Sequence, residues 1–466
     1  MLTYDLDRRG KLARYDYLYR CIREDILAGR LTAGEKLPSK RSLASHLQTA
    51  VITVQNAYAQ LEAEGYLYTR EKRGYYVADV ERHPAAPGRA PARSAPQPQR
   101  SWLLDLSSGG SGTEDFPFSV WAKLMRRVLS EEGEALLRAT PPNGADALRR
   151  AIAQHLYRFR GISAAPEQIV VGAGTEYLYN LIVQLLGREA VYGVEDPGYS
   201  KAARIYALGG ARTAPVLVDE GGVSLRSLEM SGAQILHTSP NHQFPTGAVT
   251  PIGRRQSLLR WAEAREGRYI IEDDYDSEFR FTLRPIPTLQ SIDRAGRVIY
   301  VNTFSRTLAP SLRISYMVLP KSLTEHYRAQ LGFYSSTVPA MEQHTLARFL
   351  DEGYFEAHIN RMRKSYRAQR DAVIDTILQS PLGEHCRVSG EDAGLHFLLT
   401  IDTKCTDHVL RADAEGRGVR LSFLSDFALR PGSAPQHTLV IHYPGIDLGR
   451  LRSALSILEA LLYFRD

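Results

Sequence analysis

The chain has 466 residues, of which 44% are hydrophobic and 24% charged, a composition that excludes disordered, collagen-like and disulfide-scaffold classes and gives about three domain-equivalents. Cys21, Cys386 and Cys405 are too few and too scattered for a disulfide framework or a metal knuckle, and no apolar run approaches the roughly 20 residues of a spanning helix, so a cytoplasmic location without membrane contact or bound metal is expected. The net charge of +6 lies wholly in residues 1–100, where 17 Lys and Arg face 11 Asp and Glu, while the remaining 41 and 41 cancel; a basic arm on a neutral body is the pattern of nucleic-acid binding.

In chain order, Tyr15, Leu18, Ile22, Ile26 and Leu27 recur at helical spacing and stop at Ala28-Gly29. After the turn TAGEKLPS, a short helix begins near Ser39 with Leu43, Ala44 and Leu47 inward. A third periodic run, Val54, Ala57, Tyr58 and Leu61, ends at Gly65. Tyr66-Leu67-Tyr68, REKRG and Tyr75-Tyr76-Val77 then read as a two-stranded hairpin with a basic tip. Three helices and a basic hairpin make a winged helix-turn-helix over residues 10–80.

The run Leu37-Pro38-Ser39-Lys40-Arg41-Ser42-Leu43-Ala44 and the run Ala57-Tyr58-Ala59-Gln60-Leu61-Glu62-Ala63-Glu64-Gly65 resemble the GntR-type DNA-binding domain. The resemblance implies that the helix start at Ser39, with Lys40 and Arg41, meets phosphate while the third helix enters the major groove. Relatives open that helix with Ser-Arg where this chain has Ala50-Val51. Base readout is therefore expected from Thr49, Thr53, Gln55 and Asn56, with no bidentate arginine to guanine. Arg70, Lys72 and Arg73 at the hairpin tip are expected to reach the DNA backbone or minor groove.

Residues 81–102 form a Pro/Ala-rich stretch without the apolar content to fold, read as a semi-extended linker. From 103 to 466, short apolar runs alternate with amphipathic helical segments, as in an α/β domain with a mainly parallel sheet and a smaller α+β subdomain from about 325. The candidate strands are Ile169–Val171, Ala190–Val194, Gln234–His237, Tyr269–Ile271, Val298–Val301 and Ile314–Val318. Polar constellations follow them, at the sheet edge where ligands bind in open α/β folds.

The first is Val171-Gly172-Ala173-Gly174-Thr175, a glycine-rich strand-to-helix turn that offers N–H groups and a positive helix end to a phosphate. It fails as a dinucleotide fingerprint, because the third glycine falls at Tyr177. Asp196-Pro197-Gly198-Tyr199 presents a ring as a stacking plate, and His242-Gln243-Phe244-Pro245-Thr246-Gly247 follows. Ile270-Ile271-Glu272-Asp273-Asp274-Tyr275-Asp276-Ser277-Glu278 places carboxylates just beyond a buried strand, where one could hold a protonated ring nitrogen. Thr303-Phe304-Ser305-Arg306-Thr307, continuing to Arg313, combines hydroxyls and a spaced arginine suited to an anion.

In this order the five constellations resemble a fold-type I aminotransferase domain, and the whole chain resembles the MocR/GabR family of transcriptional regulators. That resemblance implies a head-to-tail homodimer that binds operator DNA, takes pyridoxal 5′-phosphate (PLP) and senses a small amine or amino acid. Carried over, Ala173, Gly174, Thr175, Thr303, Ser305 and Arg313 would hold the phosphate. Tyr199 would stack on the ring, Asp273 would pair with its nitrogen and Tyr275 would reach its hydroxyl. His396 is expected to be a core histidine; Arg420 and Arg430 are candidates for an effector carboxylate.

Two positions depart from the family pattern. Where Ser-Lys-Thr carries the lysine that bonds to PLP, this chain reads Ser305-Arg306-Thr307. A guanidinium stays protonated and delocalised, so it cannot attack an aldehyde. Ala139 stands where relatives often place a tyrosine that reaches the partner subunit's phosphate. The expectation is a regulator without a catalytic residue, holding PLP or a PLP adduct non-covalently, with Arg306 pairing with the phosphate or with an effector carboxylate. The alternative is an active PLP-dependent aminotransferase with an appended DNA-binding domain.

Overall fold

The computed structural model describes residues 2–71, 73–80, 101–107, 115–281 and 286–463, and the chain divides into two units, 1–99 and 100–466. Lys72 and residues 81–100 of the expected linker lie outside the described residues.

The first unit holds α1 (Arg14–Leu27), α2 (Lys40–His46) and α3 (Val51–Ala63), then the antiparallel hairpin β1 (Leu67–Arg70) and β2 (Gly74–Val77). Leu18, Ile22, Leu43, Val54, Tyr58 and Leu61 are fully buried at its centre. Tyr15, expected inward, is 44% exposed; the buried stripe of α1 instead runs through Tyr19, whose hydroxyl donates to Glu64 at 2.6 Å. Ser39 caps α2, its Oγ accepting the Ser42 N–H at 3.2 Å, an interaction worth about 1 kcal/mol to so short a helix. The Tyr58 hydroxyl donates to Pro38 O at 3.1 Å and so ties α3 to the turn before α2.

The second unit begins with β3 (Leu104–Asp105), α4 (Phe118–Glu132), α5 (Asp146–Arg160), β4 (Ile169–Gly172), α6 (Thr175–Leu186), β5 (Val191–Asp196), α7 (Ser200–Leu208), β6 (Arg212–Asp219), β7 (Gly222–Val223) and α8 (Leu225–Met230). It continues with β8 (Ile235–Thr238), α9 (Ile252–Glu263), β9 (Tyr269–Asp273), α10 (Leu289–Ile292), β10 (Val298–Thr303), β11 (Ser315–Val318), α11 (Lys321–Leu331), α12 (Ala340–Asp351) and α13 (Tyr354–Leu378). Last come β12 (Cys386–Ser389), β13 (His396–Ile401), α14 (Asp407–Gly416), β14 (Val419–Arg420), β15 (Thr438–His442) and α15 (Leu448–Tyr463).

All six expected strands are present, within an eight-stranded sheet of order β4-β11-β10-β9-β8-β5-β6-β7. The run β10-β9-β8-β5-β6 is parallel, and β11 lies antiparallel to both of its neighbours. Ile270 and Val298 pack on one face with α8 and α9, and Ile271 and Ile299 on the other with α6, α7 and α11. A strand buried on both faces must be apolar throughout, which explains why these segments do not alternate. The strand β6, RTAPVLVD, was not anticipated; it carries a proline in its middle and its burial does not alternate cleanly.

A separate antiparallel sheet, β12-β13-β15, lies in the C-terminal part. The short β3 pairs in parallel with β14, so the residues that open the unit join its C-terminal part. Leu323, Tyr327 and Leu331 of α11 pack with one face of the large sheet, and Leu346 and Phe349 of α12 share a core with Val171 and Tyr316 of the same sheet. Among the described residues, no helix is long and apolar enough to cross a membrane.

Candidate functional site

A cavity of about 380 Å³ opens at the C-terminal edge of the parallel strands. It is lined by residues from the turn between β4 and α6, the turn before α7, the ends of β9 and β10, and the loop that leads to β11. Gly174, Thr175, Tyr199, Asp273, Tyr275, Thr303, Ser305, Arg306 and Arg313 all line it, so nine of the ten expected cofactor residues come together.

Each side chain has a structural reason for its position. Gly174 has φ +94°, a conformation that side chains rarely adopt, so the turn needs glycine; the nearest neighbour to a Cβ there would be the flexible end of Arg313, with Nη2 at 2.6 Å. Arg313 in turn donates to Glu176 Oε2 at 3.1 Å, and Lys201 Nζ lies 3.7 Å from Glu176 Oε1. Tyr199 is half-buried, and burial pushes its phenol up to about 12. Asp273 is buried at the end of β9. Its Oδ2 accepts the Tyr179 hydroxyl at 2.5 Å and lies 3.4 Å from His237 Nε2, while its Oδ1 is buried without a partner among the described residues. His237 is itself held by Tyr206, with 2.7 Å between the hydroxyl and Nδ1. The Tyr275 hydroxyl lies 3.1 Å from His242 Nδ1, which is 2.9 Å from Asp276 Oδ2.

Two expected phosphate ligands are used differently. The Ala173 N–H points instead to Thr337 Oγ1 at 3.0 Å, and Ala173 does not line the cavity. Thr303 lines it, but its hydroxyl works within the turn: Oγ1 accepts Ser305 N–H at 3.1 Å and Ser315 Oγ–H at 2.7 Å. Thr303 therefore shapes the loop that carries Ser305 and Arg306. Arg306 is exposed at the cavity, and among the described residues it has no hydrogen-bond or ion-pair partner.

Neither C-terminal arginine is free. Arg420 pairs with Asp105 at 3.3 Å, and Arg430 Nε donates at 3.0 Å to the fully buried Asp196, which also accepts Leu429 N–H and Ser433 Oγ–H. His396 is buried with Nε2 3.0 Å from Pro245 O, as a core histidine should be, and burial lowers its pKa well below the usual range. Burial and then Arg306 hold His442 down to about 4. Tyr179, His237, Glu176 and Lys201 were missed, and His242 was singled out without a role. Tyr179 stands one turn after Thr175 on the same helix face, and His237 is a lone polar residue in an apolar strand; either was a readable signal.

In the first unit, Arg41, Gln55, Asn56, Arg70 and Arg73 are exposed, and Thr53 is partly so. Lys40 stacks its ammonium over Tyr75 at 5.5 Å, which joins the start of α2 to the wing. Arg70 lies over Tyr68 and Tyr76 and donates to the Tyr68 hydroxyl at 3.2 Å, so the wing cation is held in place. Thr49 corrects the expected reading set: its hydroxyl is buried before the first turn of α3. Val51 and Ile52, 43% and 57% exposed, stand at the start of α3 instead.

Residues 14–77 match the family described as "Bacterial regulatory proteins, gntR family", and residues 103–410 match "Aminotransferase class I and II". The chain is 37% identical to the HTH-type transcriptional regulator YdeL of Bacillus subtilis over 98% of this chain and 99% of that protein. It is 34% identical to the probable rhizopine catabolism regulatory protein MocR of Rhizobium meliloti over 98% and 95%. The chain belongs to the MocR/GabR family of transcriptional regulators. The multiple substrate aminotransferase of Thermococcus profundus shares the fold of the large unit, with a TM-score of 0.69 at 22% identity over 79% of this chain and 92% of that one.

The aminotransferase class I/II family binds PLP, and GntR-type domains bind DNA operators. In this MocR-type regulator the cavity fits that cofactor on its own geometry. The unpartnered Asp273 Oδ1 suits a protonated ring nitrogen, and Gly174, Thr175, Ser305 and Arg313 suit a phosphate.

Two measurements follow. Replacing Arg70 and Arg73 by Ser should weaken binding to duplexes of unrelated sequence alike and flatten the log–log salt slope by about one for each phosphate no longer neutralised; an unchanged slope would place the wing off the duplex. Elsewhere in the unit, burial and then Asp274 raise the Glu278 carboxyl from 4.5 to about 7, and its buried Oε2 has no partner among the described residues. A raised value stabilises the fold at acid pH and loses that contribution as pH climbs through about 7. Glu278→Gln should therefore gain ~1–2 kcal/mol at pH 8 and almost nothing near pH 5, read by thermal unfolding. Equal shifts at both values would contradict the burial argument.

Proposed function

We propose that the regulator is a homodimeric, cytoplasmic, ligand-responsive DNA-binding protein whose aminotransferase-like unit holds PLP or a PLP-related compound without bonding to it and has no catalytic activity. The observation that carries this reading is Arg306: a permanently charged fork, without a partner among the described residues, at the position where the family pattern places an amine nucleophile. Around it the cavity keeps the groups that would orient a pyridine ring and its phosphate.

PLP, when bound, supplies an electron sink for amino-group chemistry, which needs a group beside it to bond and to move protons. Here Asp273 would hold the ring nitrogen protonated, itself oriented by Tyr179 and His237. Tyr199 would stack on the ring. Tyr275, set by His242, would donate to the ring hydroxyl. Gly174, Thr175, Ser305 and Arg313 would receive the phosphate, and the positive start of α6 adds to the attraction. None of these residues carries an amine, and Lys201, which also lines the cavity, is paired with Glu176 at 3.7 Å. Ligand then alters DNA affinity only through different affinities for two arrangements of the dimer.

On DNA, the start of α2 with Ser39, Lys40 and Arg41 meets phosphate, while Thr53, Gln55 and Asn56 face base edges. The exposed Val51 and Ile52 suit thymine methyl groups.

The test is a paired titration with PLP followed by visible absorption. The native chain should bind with the spectrum of the free aldehyde and show no sustained transamination with any amino donor. Arg306→Lys should develop the band of a lysine-linked cofactor. Multiple-turnover transamination by the native chain would overturn the proposal, as would a variant that binds no PLP at all.

A further inference from the structure

The same cavity carries information about what accompanies the pyridine ring, an inference that rests on the PLP reading above. Its cations are not equivalent. Arg313 and Lys201 share the Glu176 carboxylate on the α6 side, where the N–H groups and hydroxyls that suit a phosphate also lie. Arg306 has no counter-ion among the described residues. Its charge is felt by Tyr275 and by His396 and His442, on the side formed by the end of β9 and by β13 and β15. Both histidines are held neutral by burial, so they do not compete with Arg306 for an anion.

A ring compound with one phosphate satisfies the α6 side and Asp273 and leaves Arg306 unpaired. The guanidinium fork is planar and matches a carboxylate with two parallel hydrogen bonds. It also hangs from the backbone position of the expected nucleophile, so it lies near the ring substituent to which an amino group would be joined. Arg306 itself cannot form an imine, so the amine of the amino acid is the group that would join the aldehyde carbon, either before binding or by condensing with the bound aldehyde and releasing water. We propose that the cavity recognises a pyridoxyl phosphate compound conjugated to an amino acid, with Arg306 clamping the amino acid's carboxylate.

The test uses the full-length chain and two stable probes that differ only in that group: N-(5′-phosphopyridoxyl)glycine and N-(5′-phosphopyridoxyl)methylamine. By isothermal titration the glycine conjugate should bind about 10- to 100-fold tighter, the range of one charge-assisted hydrogen-bonded pair. In Arg306→Gln the ratio should fall to within about twofold; Arg306 is exposed, and an unchanged thermal unfolding midpoint reports an intact fold. Equal affinities in the native chain would overturn the carboxylate clamp while leaving the PLP reading standing. A preference that survives in Arg306→Gln would assign the carboxylate to another cation and overturn it too. Failure of both probes to bind at millimolar concentration would remove the PLP reading and this inference together.

Discussion

The large unit is organised by the need to partner the carboxylates at the end of one buried strand. After Tyr269-Ile270-Ile271, β9 runs into Glu272, Asp273, Asp274, Asp276 and Glu278, and an uncompensated buried carboxylate costs several kcal/mol. Glu272 accepts the N–H groups of Leu289 and Gln290 at the start of α10. Asp274 takes Arg160 from the end of α5, Asn241 from the loop after β8, and Tyr300 from β10. Asp276 takes His242. One strand end thus gathers two helices, a neighbouring strand and a loop, and a broken pair such as Arg160–Asp274 would cost about 3–5 kcal/mol. Asp273, on the same strand end, lines the cavity and has one buried oxygen without a partner among the described residues.

That arrangement separates holding a ring from reacting with it. The groups that would orient a pyridine nitrogen, a ring face and a phosphate come from several elements that also support the core. The nucleophile is a single side chain on a turn supported by Thr303 and Ser315. On the function proposed above, arginine in place of lysine there would remove covalent chemistry, leave the cup and add a fixed charge. A ligand-responsive regulator would tolerate that change, since its DNA affinity would depend on differential ligand binding rather than on turnover.

Much of this was legible in the residues because the signals are local. The glycines of the β4–α6 turn, the tyrosine after Asp196-Pro197-Gly198 and the carboxylates after an isoleucine pair each combine a strand end with a polar group, and the structure gathers them at one edge. The winged module was readable for the same reason, with three periodic runs and a Tyr-rich hairpin in sequence. What escaped depends on residues distant along the chain. No local pattern says that Thr337 takes the Ala173 N–H, that Asp196 takes Arg430, or that β3 joins β14 more than 300 residues away. The burial of the Thr49 hydroxyl and the outward turn of Tyr15 reflect helix packing that composition does not encode.

The central claim is that this cavity holds its ring compound without a covalent link to residue 306. The most direct measurement is borohydride treatment of the PLP-saturated native chain, followed by denaturation and peptide mass spectrometry. The account predicts an unmodified peptide across Thr303–Arg313; a phosphopyridoxyl group retained on any residue of the cavity would contradict it.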